Sequence, residues 1–318
     1  METYYAAYGL SLDCSFELAG MDAITQVDNG LPTMALVLCE PSELAAEWSG
    51  AEGPPQWRGR LGDGLDLTLE GGVAGDLLFS YGERARFRLD RNMRRLECAP
   101  THDGLDWQRA LIGKVLPAIS VMLGYEALHG AVVDSPEGVV AIMAPSGAGK
   151  STLALELLGR GWPLFADDVL ILEDSDGTVR AHPGTPHMNV AETLPDGIDP
   201  RTLGDTLGVL AGERWLTAKQ TTRRPRPIRM LCMLERSPEL ASEARTLTSS
   251  PLPLAPYMLG LSSDPARQRS RFALYADLME STPLVRLTAD LAPGPAQLAD
   301  MLEEALSHQP ELATSGIG

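Results

Sequence analysis

The sequence predicts a mixed α/β (α+β) chain in two parts: a β-rich N-terminal domain over residues 1–106 and an α/β phosphate-loop domain over residues 107–318. Three observations carry that expectation. The first hundred residues alternate short apolar runs with Gly and Asn/Asp punctuation, the pattern of half-buried strands. An apolar run then leads into the glycine-rich turn "APSGAGKS" (Ala144–Ser151) and straight on into a helical pattern. Beyond that turn, strand-like and helix-like segments follow one another. Apolar residues make up 44% of the 318, enough to bury a sizeable core.

Taken in order, Thr33–Cys39, Leu65–Gly71, Gly75–Gly82 and Ala85–Cys98 read as strands, and Ser49–Gly59 as a loop. From Trp107 to Leu123, the residues Trp107, Ala110, Leu111, Val115, Ile119 and Met122 recur at helical spacing, with Pro117 as the place for a kink. Ala127–Asp134 and Val139–Ala144 read as buried strands on either side of the turn "SPEG". A helix is expected from Lys150 to Arg160, with Leu153, Ala154, Leu157 and Leu158 facing the core and Gly161 ending it. "LFADDVLIL" (Leu164–Leu172) reads as a strand, and the Asp-Gly pair after it as a hairpin turn. Proline-rich loops lead to a strand at Ile228–Glu235, a helix at Gln268–Glu280, a strand at Thr282–Ala289 and a helix at Pro295–His308. The last ten residues are expected to fray.

The glycine-rich turn carries the chemistry. Consecutive backbone N–H groups aimed into one concavity, at the positive end of a helix, bind phosphate. Lys150 is the mobile cation for the β and γ phosphates, and the Ser151 hydroxyl is a ligand for magnesium. Ser146, Gly147, Ala148, Gly149, Lys150, Ser151 and Thr152 together form the nucleotide-binding set. One position departs from the strict pattern: Ala144 stands where Gly opens it. Sixteen residues after Ser151 comes the pair Asp167-Asp168. Adjacent residues on a strand point to opposite faces, so one carboxylate can face the nucleotide. Either could hold magnesium through water, or accept a proton from an attacking hydroxyl. His129, on the strand before the loop strand, reads from its own position as a buried structural histidine.

Composition excludes several classes of partner. A net charge of −17, a pI near 4.7 and 5% aromatic residues argue against nucleic acid and against anionic membrane surfaces. No apolar stretch reaches the length of a membrane span, and the start "METYYAAYGL" lacks a basic segment before an apolar core. Cys14, Cys39, Cys98 and Cys232 form no CxxC pair and read as the free thiols of a cytoplasmic protein.

The segments "LHGAVVD" and "PSGAGKSTLALELLGRGWPLFADDV" resemble the HPr kinase/phosphorylase family. There a His-Gly strand leads into a phosphate loop, and the loop's helix leads to an "ADD" strand. The similarity runs over roughly Tyr125–Leu172. The "YYAAYGL" start and the β-rich first hundred residues also resemble the HPr-kinase-related proteins of peptide-tailoring clusters. Lasso peptide kinases, which phosphorylate the C-terminal serine of a precursor peptide, are among these. The resemblance implies a fold akin to phosphoenolpyruvate carboxykinase, ATP (or another nucleoside triphosphate) and Mg2+ as cofactors, and Ser151 and Asp168 on the magnesium side. It implies Asp167 as general base, oriented by Asp168 and His129, with the order of the two aspartates reversible. It leaves a homo-oligomer open. The family's downstream glutamate, a magnesium ligand, has no clear match. His182, His187 and Glu192 are the substitutes on offer in "AHPGTPHMNVAE". The N-terminal half does not resemble the regulatory family's own N-terminal domain, which argues against control of the sugar phosphotransferase carrier and against the reverse, phosphorylase reaction.

Two basic stretches stand out. "KQTTRRPRPIR" offers Lys219, Arg223, Arg224 and Arg226 to a phosphoryl group or an acidic substrate, or else is a solvated flank. "RQRSR" (Arg267–Arg271) reads as a wetted helix face. The expected activity is ATP-dependent phosphorylation of a serine hydroxyl on a peptide or small protein. Phosphorylation of a small-metabolite hydroxyl, and a nucleotide switch without transfer, are the alternatives.

Overall fold

The structure, a computed structural model, describes residues 3–25, 30–61, 63–175, 177–194, 198–247, 250–260 and 264–309. Of the last ten residues, expected to fray, 310–318 lie outside that set, as does Asp176 of the expected Asp-Gly turn. The chain divides into two compact units: Met1–Gly124 with Thr206–Trp215, and Tyr125–Asp205 with Leu216–Gly318.

The first unit is built on an eight-stranded sheet. In spatial order its strands are Thr3–Ala7, Leu10–Cys14, Thr33–Leu38, Arg95–Pro100, Ala85–Leu89, Leu77–Tyr81, Asp66–Gly71 and Trp57–Arg60. Thr33–Leu38 runs parallel to both of its neighbours, and the other pairings are antiparallel. Alternation puts Phe87, Leu89 and Leu96 inside, with Phe87 facing Phe79 across one strand pair and Cys98 across the next. Two expectations need correction. Ala85–Cys98 is a hairpin of two strands because Asp90 closes a turn, accepting from the N–H groups of Arg94 and Arg95 at 2.7 Å. The expected loop at 49–59 ends in the edge strand Trp57–Arg60. The helical pattern begins at Asp106 and runs to Met122, with a π turn at Leu111–Val115 just before Pro117. Proline has no N–H to give to the carbonyl four residues back, and the wider turn absorbs that mismatch without breaking the helix.

The second unit places the loop. Strand Gly138–Met143 runs parallel to Arg226–Arg236, which in turn runs parallel to Leu284–Ala289. Helices Lys150–Gly159 and Pro295–Ser307 cover one face of this sheet, where Val140, Ile142, Met230, Cys232, Leu234 and Leu287 meet Leu153, Leu157, Leu298 and Leu302. Helix Pro265–Ser281 packs Leu274, Tyr275, Leu278 and Met279 among the side chains of the other face. The "LHGAVVD" and "ADD" segments form one antiparallel ribbon broken in the middle. Glu126–His129 pairs with Val169–Ser175, and Ala131–Ser135 pairs with Leu164–Ala166. Gly130 interrupts one strand and Asp167-Asp168 the other. Proline-rich residues read as loops form three more strands, His187–Ala191, Gly204–Leu210 and Glu213–Ala218, with Thr206–Trp215 of the last two counted in the first unit. Their runs are short, and Gly, Thr or Asn interrupts each, so no period shows. Yet Met188, Val190, Leu216 and Ala218 are buried in the core beneath the loop helix.

Candidate active site

The glycine-rich turn forms as its residues dictate. Gly147 (φ 80°) and Gly149 (φ 99°) adopt left-handed backbone, which an L side chain resists. A Cβ on Gly147 would meet nothing within 4 Å, so its conformation and not crowding demands glycine there. Between them the Ala148 N–H donates to the Pro145 carbonyl at 3.2 Å, closing the turn. Ala144 does not have positive φ, and its methyl group is buried in the core, so the missing first glycine leaves the turn intact. Gly149 is the N-terminal cap of the helix, and Lys150, Ser151 and Thr152 form its first turn, half-buried. Ser146 and Gly147 are exposed at the tip.

The aspartate pair is not on a continuous strand, which corrects the opposite-faces expectation. Asp168 has φ 63°, and the Val169 N–H folds back to the Asp167 carbonyl at 2.8 Å. Aspartate is one of the few side chains that tolerate this left-handed turn. The turn separates the two carboxylates by environment. The Asp168 Oδ1 atom lies 3.5 Å from the Lys150 Nζ, with the two side chains 25% and 11% exposed. Asp167 is only 8% exposed, and its Oδ2 accepts the Asn189 N–H at 2.8 Å. His187 begins that same strand and is buried. His182 is buried against Glu173, at 2.7 Å, in the neighbouring hairpin. Glu192 is exposed past the strand's end.

His129 works on the backbone of the turn. Its Nδ1 is 2.8 Å from the Asp168 carbonyl, which also accepts the Gly130 N–H at 3.1 Å. A carbonyl only accepts, so Nδ1 carries the proton. Two donors on one carbonyl pin the left-handed turn. Gly130 cannot carry a side chain: a Cβ would lie 2.9 Å from the Ile142 carbonyl oxygen. The His-Gly pair thus has a physical basis in both residues.

The "RQRSR" stretch is not a wetted face throughout. Arg267 and Arg271 each lie 2.7 Å from the carboxylate of buried Glu126, three residues before His129, and the Tyr275 hydroxyl donates to the Ala127 carbonyl at 2.9 Å. Positions i, i+4 and i+8 of one helix therefore grip the histidine strand. The other basic stretch lies elsewhere. Arg226 begins the strand whose Met233 is opposite Met143. Seven residues at about 3.3 Å each separate it from the loop end by roughly 23 Å. Arg226 donates to Asp134 at 3.1 Å and to the carbonyls of Ser135 and Pro136, and Lys219 caps a short helix through the carbonyls of Arg201 and Thr202. Arg223 and Arg224 are exposed. Sequence reasoning passed over Arg236, whose guanidinium approaches Gly149.

Among the described residues, no three His, Cys, Asp or Glu side chains converge as a metal cage. Magnesium that arrives with a nucleotide needs only one or two protein oxygens, and Ser151 and Asp168 suit that role. Cysteine chemistry is remote: burial, with Asp13 adding to it at Cys14, pushes the thiols of Cys14 and Cys232 up to about 12. No helix among the described residues is long and apolar enough to cross a membrane.

No family model matches the chain. Curated relatives do. An HPr kinase/phosphorylase of Azoarcus sp. is 36% identical over 110 residues, 35% of this chain and 32% of the relative. One from Clostridium botulinum is 41% identical over 70 residues, 22% of this chain and 23% of the relative. One from Nitrosomonas europaea is 33% identical over 109 residues, 34% of this chain and 30% of the relative. The match therefore spans under a third of the length of these relatives. A solved HPr(Ser) kinase/phosphatase from Coxiella burnetii aligns at 13% identity and a TM-score of 0.32, covering 56% of this chain and 94% of that one. On the sequence matches, this mixed α/β chain contains an HPr kinase/phosphorylase-like region.

Proposed function

We propose that the chain is a kinase that moves the terminal phosphoryl group of ATP to a serine hydroxyl of a peptide or small protein. The observation that supports this best is the carboxylate at the loop: Asp168, turned out of its strand, pairs with Lys150 at the first turn of the loop helix. When bound, magnesium–ATP supplies the electrophilic phosphorus and offsets part of its charge. The amides of Gly147–Thr152 and the Lys150 ammonium hold the β and γ phosphates. Ser151 Oγ and Asp168 would hold the magnesium. Asp167, its direction set by the Asn189 amide, takes the proton of the serine hydroxyl. The serine Oγ–phosphorus bond forms as the bond from phosphorus to the β-phosphate oxygen breaks, and ADP leaves. His129 acts through the Asp168 carbonyl and is a positioning residue. Such a site works by alignment and charge, with little covalent chemistry asked of the protein.

The narrower reading, the C-terminal serine of a lasso precursor peptide with residues 1–106 as the recognition domain, rests on the likeness of the "YYAAYGL" start. A cytoplasmic setting and a homo-oligomer belong to the same reading. Incubation with ATP, magnesium and peptides ending in serine, followed by mass spectrometry, tests it. Gain of one phosphoryl group on the serine is expected. Turnover of ATP with no phosphorylated peptide or protein, or transfer only to small hydroxy compounds, would overturn it.

A further inference from the structure

The strand that runs parallel to the loop strand ends in a cation. Met230, Cys232 and Leu234 alternate on the face covered by the loop helix, and Arg236 is the next residue in that row. It comes after the apolar core stops, at the end of the sheet where the loop helix begins. Its guanidinium is fixed from one side. Nε and Nη2 donate to the Asp290 carbonyl at 3.2 Å, and Nη2 also to the Pro293 carbonyl at 2.8 Å. The remaining nitrogen, Nη1, would be 3.9 Å from a Cβ built on Gly149, so it faces the loop backbone.

Arg236 is half-buried yet lacks a carboxylate partner; among the described residues Arg180, Arg224, Arg245 and Arg269 of this unit lack one too, but those four are exposed. Arg160, Arg226, Arg229, Arg267, Arg271 and Arg286 each lie within 4 Å of a carboxylate. Among the described residues, no carboxylate is within that distance of Arg236, in a chain whose acidic residues outnumber its basic ones by 43 to 26. Its hydrogen bonds go to neutral carbonyls, and it sits near a second cation, Lys150, and the positive end of a helix. Like charge gathered at a helix N-terminus is unfavourable until an anion arrives.

We infer that Arg236 is a phosphate-binding residue, its Nη1 donating to the polyphosphate chain of the nucleotide in the loop. The inference rests on the loop reading above and adds a residue that no loop motif contains. Anchored by two carbonyls, the guanidinium is aimed before the ligand comes, so little side-chain entropy is lost on binding.

The test uses the full chain, with calorimetry of magnesium–ATP, inorganic tripolyphosphate and AMP against wild type, Arg236→Gln and Lys150→Ala. Arg236→Gln is expected to weaken ATP and tripolyphosphate at least tenfold, about 1.4 kcal/mol, while changing AMP less than threefold. A residue that only staples the Asp290–Pro293 turn would weaken all three alike or none. Either pattern overturns the inference. If Lys150→Ala loses ATP and Arg236→Gln does not, the loop reading stands and Arg236 falls alone. If wild type binds neither ATP nor tripolyphosphate, both fall. Should Arg236→Gln melt well below wild type, Arg236→Lys decides: tighter tripolyphosphate binding than in the Gln variant is expected, and equal weakness contradicts the charge role.

Discussion

The two ends of one strand pair, Gly138–Met143 and Arg226–Arg236, use the same residue types for opposite purposes. At the N-terminal end, Arg226 is tied to Asp134 and the turn after it, and Arg229 is buried against Glu137 at 2.6 Å, with further bonds to the carbonyls of Leu306 and Gln309. Each cation there is neutralised or fully engaged by the protein. At the C-terminal end, Arg236 approaches the glycine turn without a carboxylate of its own, and Lys150 pairs with Asp168. In open parallel sheets, ligands bind outside the carboxyl ends of the strands, and under the proposed function the nucleotide would sit at that end of the parallel trio Gly138–Met143, Arg226–Arg236 and Leu284–Ala289. A basic residue in this unit is informative by the end of the strand pair on which it stands and not by its number of basic neighbours.

That contrast can be broken from either end. The largest effect is expected at the loop. Lys150→Ala should lower phosphoryl transfer by about a thousandfold or more while the melting temperature stays near wild type, because the lysine contributes to phosphate and not to core. A turnover assay with peptide acceptor checks it, and retained activity removes the loop from the chemistry. Next come the two aspartates. Asp167→Asn should lower kcat by about a hundredfold or more with ATP affinity unchanged, whereas Asp168→Asn should raise the magnesium concentration needed for half-maximal rate. The reverse pattern exchanges their roles. The smallest effect on chemistry belongs to the far end. Arg229→Ala should cost about 1–3 kcal/mol in urea unfolding, since it removes a buried side chain and leaves the Leu306 and Gln309 carbonyls without their donor, and leave kcat/KM per folded molecule as it was. A loss of catalysis without a loss of stability would erase the distinction between the ends.

The geometry of the glycine-rich turn was legible because it is local. A strand, two glycines and Lys-Ser ahead of an apolar helical face make the loop whatever surrounds them, and the glycine angles agree. What sequence could not display was direction and turn. Asp167-Asp168 sits inside an apolar run, and nothing in "LFADDVLIL" distinguishes a strand from two strands joined by a left-handed aspartate, because Asp is among the few residues compatible with both. The basic stretch Lys219–Arg226 precedes a strand whose other end reaches the loop, and sequence adjacency does not say which end is which. Arg236 did leave a signal: a cation that continues the alternating row Met230, Cys232, Leu234 at the end of a buried strand. The arginines of "RQRSR" left one too, since Arg267, Arg271 and Tyr275 recur at helical spacing and all three reach the strand that carries His129.

Amide hydrogen exchange with and without magnesium–ATP tests the central claim most directly, because it reads both ends of the strand pair in one experiment. Protection is expected at Gly147–Thr152 and at Asp167–Val169, with no change at Asp134–Glu137 or Arg226–Arg229. Protection confined to the Arg226 end, or none at the loop under saturating nucleotide, would contradict it.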